Sequence, residues 1–347
     1  MNNFKARRVG LFLLLAILLT LSFIGCKAKT SDTEKKDSSQ PTSVPDVQET
    51  NLVLATNPVG TGYYIVAAAQ GSLLTQKTNI NVVVQPTSGP EGVIETLKSG
   101  QSQLVLMEPF LVRTFWKDEQ DVKRVRTLQA GNILRFAFVT HEGTNIKTVS
   151  DLKGKRVTFT GLSASHTMIA QGILKAYGLD PEKDVKPLKM SFATAGLTDL
   201  AEGRTDAVIA SIAGGKMEEL ASKIKTVVIP VEEDKAKESA QWAPMLLPSK
   251  LTIDVKGGPK GTPVVGMITA LYTTKDLDEQ AAYTITKALV ENYKEIIPIS
   301  EECAEWVPDA AVTPSAGFPY HPGAIKYYKE VGLWNDSMEK WQQEQLK

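Results

Sequence analysis

Cysteine and histidine are scarce in this sequence. The two cysteines are Cys26 and Cys303, and the three histidines are His141, His166 and His321. So few thiols exclude a disulfide framework and a metal site built on thiolates. The histidines fall in no metal-ligand spacing such as H-E-x-x-H. No serine sits in a G-x-S-x-G elbow, no G-x-G-x-x-G is present, and the P-loop lysine is missing. An excess of one charge is absent too: Lys plus Arg and Asp plus Glu both number 39, so nothing attracts nucleic acid. These absences leave catalysis without visible machinery and call for no cofactor and no metal.

What is present first is an N-terminal leader. Lys5, Arg7 and Arg8 precede the uncharged run VGLFLLLAILLTLSFIG, the positive and apolar regions of a secretory signal. Cys26 follows Gly25 directly. A small residue then Cys at the end of such a run resembles a bacterial lipoprotein cleavage site, with Cys26 as the lipidated mature N-terminus; Phe23 departs from the Leu or Val usual there. The other reading is an uncleaved anchor, and both place the rest of the chain outside and tethered. Cleavage takes away three cations and no acid, leaving 36 basic against 39 acidic side chains, a net of −3. Cys303 is then alone and is read as structural. Residues 27–50 are rich in Ser, Thr, Lys, Asp, Glu and Pro and cannot bury a core. They read as a flexible tether spanning roughly 25–30 Å.

Beyond the tether, apolar runs alternate with helical stretches. LVLAT, NVVVQPT, QLVLME, FAFVTHEG (136–143), RVTFTG, KPLKMSF, DAVIASI, KTVVIPV and VVGMITALYTT read as strands, with helices between most of them and at the C-terminus. Such alternation predicts an α/β fold of mostly parallel sheet flanked by helices. The theme runs twice, before and after about residue 140, so two separate sheets in two lobes are expected. A cleft between lobes is the default ligand site, and the carboxyl ends of strands are where ligands sit in open α/β sheets.

That rule nominates two turns. The first is PVGTGYY (58–64): Gly60 lets the backbone approach a ligand, Thr61 offers a hydroxyl, and Tyr63 and Tyr64 form an amphipathic wall at a helix start. The second is GLSASHT (161–167), where Ser163, Ser165 and Thr167 offer three hydroxyls and His166 a further donor. This is a cradle for a carboxylate, unless Ser165 is an ordinary N-cap. Lesser candidates lie at other strand ends: Ser88 and Gly89, Glu108, and Gly214. Glu108 would repel a carboxylate but could hold an ammonium group, and it reads at least as well as a solvated loop acid.

From PVGTGYYIVAAAQ onward the chain resembles the TAXI-type solute-binding proteins of TRAP transporters. The resemblance continues through TVSDLKGKRVTFTG, AEGRTDAVIASIAGG and DLDEQAAYTITKALVENY and is most specific at FPYHPGAIKYYKEVGL, residues 318–333. It covers nearly all of residues 51–335. It implies a type II periplasmic-binding-protein fold, two lobes joined by two crossing segments, with a membrane permease as partner and sodium-coupled transport of an organic acid or amino acid. Gly89-Pro90-Glu91-Gly92 departs from the family's Gly-Ser turn and puts an amino-acid ligand in doubt. In the last motif Pro322 suits a helix's first turn, Tyr327 and Tyr328 are expected to pack, and His321 to cap a helix or lie at the surface.

The reading is thus a monomeric extracytoplasmic lipoprotein, no enzyme, that closes on a small carboxylate-bearing solute. Residues 1–25 are the signal peptide and 26–50 the tether. Residues 51–138 and 268–347 form lobe 1, and residues 139–267 form lobe 2. A receptor module for a membrane sensor and an extracytoplasmic enzyme on the same fold are the alternatives.

Overall fold

The computed structural model describes residues 50–116, 118–160, 164–189, 195–212 and 214–347. The chain divides into two units, Met1–Asp46 and Val47–Lys347, and all described residues belong to the second. The signal peptide, nearly all of the tether and Cys26 lie outside them.

Strands and helices alternate from the start: β1 (Thr50–Thr56), α1 (Gly62–Lys77), β2 (Ile80–Pro86), α2 (Pro90–Lys98), β3 (Leu104–Met107), α3 (Pro109–Trp116) and α4 (Glu119–Val122). The middle holds β4 (Val125–His141), β5 (Arg156–Thr160), α5 (Ala164–Ala176), β6 (Lys186–Lys189), α6 (Ala195–Ala201), β7 (Ala207–Ser211) and α7 (Gly214–Ala221). Then follow β8 (Thr226–Val228), α8 (Glu233–Ser239), β9 (Leu247–Lys250) and β10 (Pro263–Thr274). Helices α9 (Glu279–Glu291), α10 (Tyr293–Ile296), α11 (Pro322–Glu330) and α12 (Asp336–Gln345) close the chain.

Local chemistry sets several boundaries. The Thr61 hydroxyl caps α1 and the Asp278 carboxylate caps α9, each accepting an orphan N–H of the first turn. Gly100, at φ +77°, supplies the left-handed residue just past α2 that a Cβ would disfavour. α11 starts with His321 as N-cap, its Nδ1 accepting the Gly323 amide at 3.2 Å, and Pro322 follows in the first turn. His321 is therefore the cap expected, but it is buried, not at the surface. Tyr327 and Tyr328 pack inside as expected.

The fold class is the one the sequence predicts, a mixed α/β protein with a central sheet flanked by helices. The strands run β2-β1-β3-β10-β4-β7-β5-β6, with β8 on β4 and β9 on β10. β1 pairs in parallel with β2 and β3, and β5 in parallel with β6 and β7. Every pair made by β4 or β10 is antiparallel. The two sheets expected are thus one hydrogen-bonded sheet, because β4 and β10 run long enough to pair at both ends.

The apolar interior is nevertheless parted. One core collects residues from β1 through Ala130 together with residues from Ile268 to Met338. Two further clusters draw only on residues 136–267. β4 and β10 pass from the first core to the others side by side, and their register shifts between Ile268 and Ala270 and again between Leu271 and Tyr272. Such irregularities bend and twist a ladder locally. At the crossing, the buried Asn132 Oδ1 accepts from Thr269 Oγ1 (2.6 Å) and Trp306 Nε1 (3.0 Å). The Arg135 guanidinium pairs with Glu305 and donates through Nε to the Lys250 carbonyl at 2.7 Å.

Candidate ligand-binding site

The turn after β1 delivers Tyr63 into the first turn of α1. Its hydroxyl donates to the Glu108 carboxyl, which directly precedes α3 at the end of β3. Ser165, in the first turn of α5, lies beside the same carboxyl and acts to lower its pKa. Tyr63, Glu108 and Ser165 are thereby one cluster, although α1 and β3 pack in the first core and α5 packs in the second. Two partly buried neighbours share that seam. Phe110 packs against both cores, and Ala164 at the start of α5 packs against the first.

Burial dominates the electrostatics here. Glu108 is only 3% exposed, and among the described residues no cation pairs with it. Desolvation pushes its carboxyl above the ordinary glutamate range, although the Tyr63 hydrogen bond and the Ser165 hydroxyl pull the other way. Tyr63 is raised well above the usual phenol value, first by burial and then by Glu108. Glu108 is therefore not the solvated loop acid that the sequence suggested. The strand end alone looks open, and only α1, β10 and α5 close over it.

The other predicted residues take different places. Thr61 caps α1 and its own hydroxyl donates to the Pro58 carbonyl at 2.7 Å. Gly60 is exposed at φ +86° with open space where a Cβ would stand. Tyr64 is half-buried beside Tyr63. Ser88 is exposed and Gly89, at φ +152°, is the N-cap of α2, a position without a side-chain cap. Thr167 turns back to β5, donating to the Phe159 carbonyl at 2.9 Å, and His166 meets the Phe136 ring edge-on at 5.3 Å. Gly214 is the first residue of α7. Ser163 lies outside the described residues.

α5 begins at Ala164. Ser165 is therefore inside the first turn of α5 and not its N-cap. Sequence reasoning missed Thr56 and Asn57, at the carboxyl end of β1. Both are buried, and among the described residues Thr56 Oγ1 and Asn57 Oδ1 find no partner. It also missed Tyr272 of β10, whose phenol is raised first by burial and then by the neighbouring Tyr320 and Glu108.

Two open hollows lie elsewhere. One of about 500 Å³ is lined by Gln171, Lys175, Asp180, Glu182 and Trp242, and one of about 660 Å³ by Gly131, Ile133, Leu247, Ile268 and Val307. Neither is lined by Tyr63, Glu108 or Ser165.

Residues 54–332 match the model of the NMT1-like family. The chain belongs to that family. The match begins inside β1 and ends just after α11, so it takes in Tyr63, Glu108 and Ser165. Solved structures with a related chain path include XAC2383 from Xanthomonas citri bound to ATP, at 9% identity and TM-score 0.49, covering 86% of this NMT1-like chain and 100% of that one. The periplasmic aliphatic sulphonate binding protein SsuA from Escherichia coli is 16% identical, with TM-score 0.48 and coverage of 86% and 90%. The probable amino-acid ABC transporter extracellular-binding protein ytmK from Bacillus subtilis is 16% identical, with TM-score 0.46 and coverage of 72% and 92%.

Proposed function

We propose that this NMT1-like protein is a non-catalytic, extracytoplasmic solute-binding lipoprotein, of the TAXI type, that captures a small carboxylate-bearing solute for a sodium-coupled TRAP permease. The observation that carries the reading is the meeting of two helix starts, α1 with Tyr63 and α5 with Ser165, drawn from separate cores. Helix N-termini and hydroxyls favour a negative guest.

The division of the interior supports lobes at residues 51–138 with 268–347 and at 139–267. β4 and β10 supply the two crossing segments, and their register shifts supply a place to bend. The HPGA turn and the twin tyrosines support the TAXI assignment. Cys26 after Gly25 supports the lipid anchor.

Native mass spectrometry of the protein from Cys26 onward, followed by thermal-shift screening of carboxylates, amino acids and sulphonates, tests the reading. A ligand at a hundred times its dissociation constant adds about 2.7 kcal/mol of stability. A stabilising carboxylate recovered unchanged and stoichiometric supports the proposal. Turnover of the bound compound, or a screen in which no anion stabilises the protein, overturns it.

A further inference from the structure

We propose that Glu108 is an internal stand-in for the ligand's carboxylate, holding α5 against the first core in the ligand-free protein until an entering anion displaces it from Ser165. The inference rests on the ligand site proposed above, but concerns what the protein does while that site is empty.

The cradle is already filled by the chain's own acid. A carboxyl at the end of β3 accepts from a phenol on α1 and meets a hydroxyl on α5, and with 3% exposure it has almost no water. The groups facing it from each neighbouring element offer no competing partner of opposite charge. Tyr63 comes from α1, Tyr272 from β10 and Ser165 from α5. Arg113 on α3 is turned away, donating to the Gly317 carbonyl at 2.8 Å and stacking 4.6 Å from the Phe318 ring. The Tyr63 bond and the Ser165 contact of Glu108 therefore join one core to the other, and among the described residues no cation pairs with Glu108.

Two consequences follow. A solute carboxylate and the Glu108 carboxyl compete for Ser165, so the self-closed population lowers apparent affinity by the fraction it occupies. The contact also favours a protonated acid, since an ionised one would sit desolvated and unpaired. Burial raises the Glu108 carboxyl, so the closed state is complete below the ordinary glutamate range and is lost as pH rises through the raised value.

The test is small-angle scattering of ligand-free protein from Cys26 onward, wild type and Glu108→Ala, Glu108→Gln and Ser165→Ala, from pH 5 to 9. Circular dichroism checks that each is folded, and Ser165→Ala, a conservative change, keeps the test alive if Glu108→Ala misfolds. Wild type is expected compact at acidic pH and larger in radius of gyration at alkaline pH. Ser165→Ala and Glu108→Ala are expected large throughout, and Glu108→Gln compact throughout, because it keeps an acceptor that cannot ionise. A wild type as expanded as Ser165→Ala at pH 5, or four proteins of one size at every pH, overturns the proposal. If the variants expand and yet no anion stabilises the wild type, the latch stands and the proposed solute falls. If anions bind but the sizes never differ, the reverse holds.

Discussion

Gly131 lies directly beneath the indole of Trp306, so close that a Cβ added to the glycine would stand 2.1 Å from Cε2. No rotamer of a side chain resolves that clash, because Trp306 is fully buried and its Nε1 is bonded to Asn132. The pair fixes the segment after α10 onto β4 at the crossing.

Gly131→Ala is accordingly expected to destabilise the protein by at least about 1–3 kcal/mol, the ordinary cost of overpacking a full core. Urea denaturation followed by tryptophan fluorescence measures it. A change below about 0.5 kcal/mol would mean that the Trp306 segment moves aside freely.

The Arg135–Glu305 pair sits at the same crossing. Glu305 accepts from the Ile133 amide at 2.9 Å as well as from the guanidinium, whose side chain is only 12% exposed. Glu305→Ala leaves a half-buried guanidinium and an amide without acceptor. The expected loss is about 1–3 kcal/mol, and Arg135→Ala in the same background should add less than it does alone. Strict additivity in that double-mutant cycle would remove the pair from the account of the hinge.

Much of this was legible in the chain and some was not, for a physical reason that recurs. HPGA announces a helix start because capping by His321 and the fixed φ of Pro322 act within a few residues. The strand at 136–143 was seen only by its apolar half. Residues 125–135, with Arg126, Gln129, Asn132 and Arg135, carry no strand pattern. They are held by distant partners, such as the Phe318 carbonyl bonded to Thr127 Oγ1. The candidate site shows the same divide. Tyr63 and Ser165 were found by their place at strand ends, whereas the burial of Glu108 arises from three elements far apart in sequence.

Within the proposed site, Tyr63 and not Tyr64 bonds Glu108, so the two tyrosines should separate in a binding assay. Ser165→Ala removes a donor to the incoming anion, and a charge-assisted bond of this kind contributes about 1.5–3 kcal/mol. Calorimetry with the stabilising carboxylate is expected to show roughly a tenfold or greater loss of affinity at Ser165→Ala. Tyr63→Phe takes away the phenol that holds Glu108 in place and should shift the apparent affinity the other way, upward. Equal affinity in both variants and wild type would move the site elsewhere.

His321 is buried, and desolvation pushes its imidazole below the ordinary value; the Leu277 backbone opposes that shift first, Arg126 adds to it, and Glu279 and Asp278 also oppose it. The neutral ring is also what caps α11, since Nδ1 must accept the Gly323 amide and cannot do so once protonated. The unfolded chain therefore binds a proton more readily than the folded one. The contribution of His321 is complete above the ordinary histidine range and is lost as pH falls through that range toward the lowered value. His321→Asn keeps an accepting cap without titrating. Denaturation midpoints at pH 7.5 and pH 5.5 are expected to fall more in wild type than in His321→Asn. Parallel profiles would show that the folded imidazole takes up a proton as readily as the unfolded one.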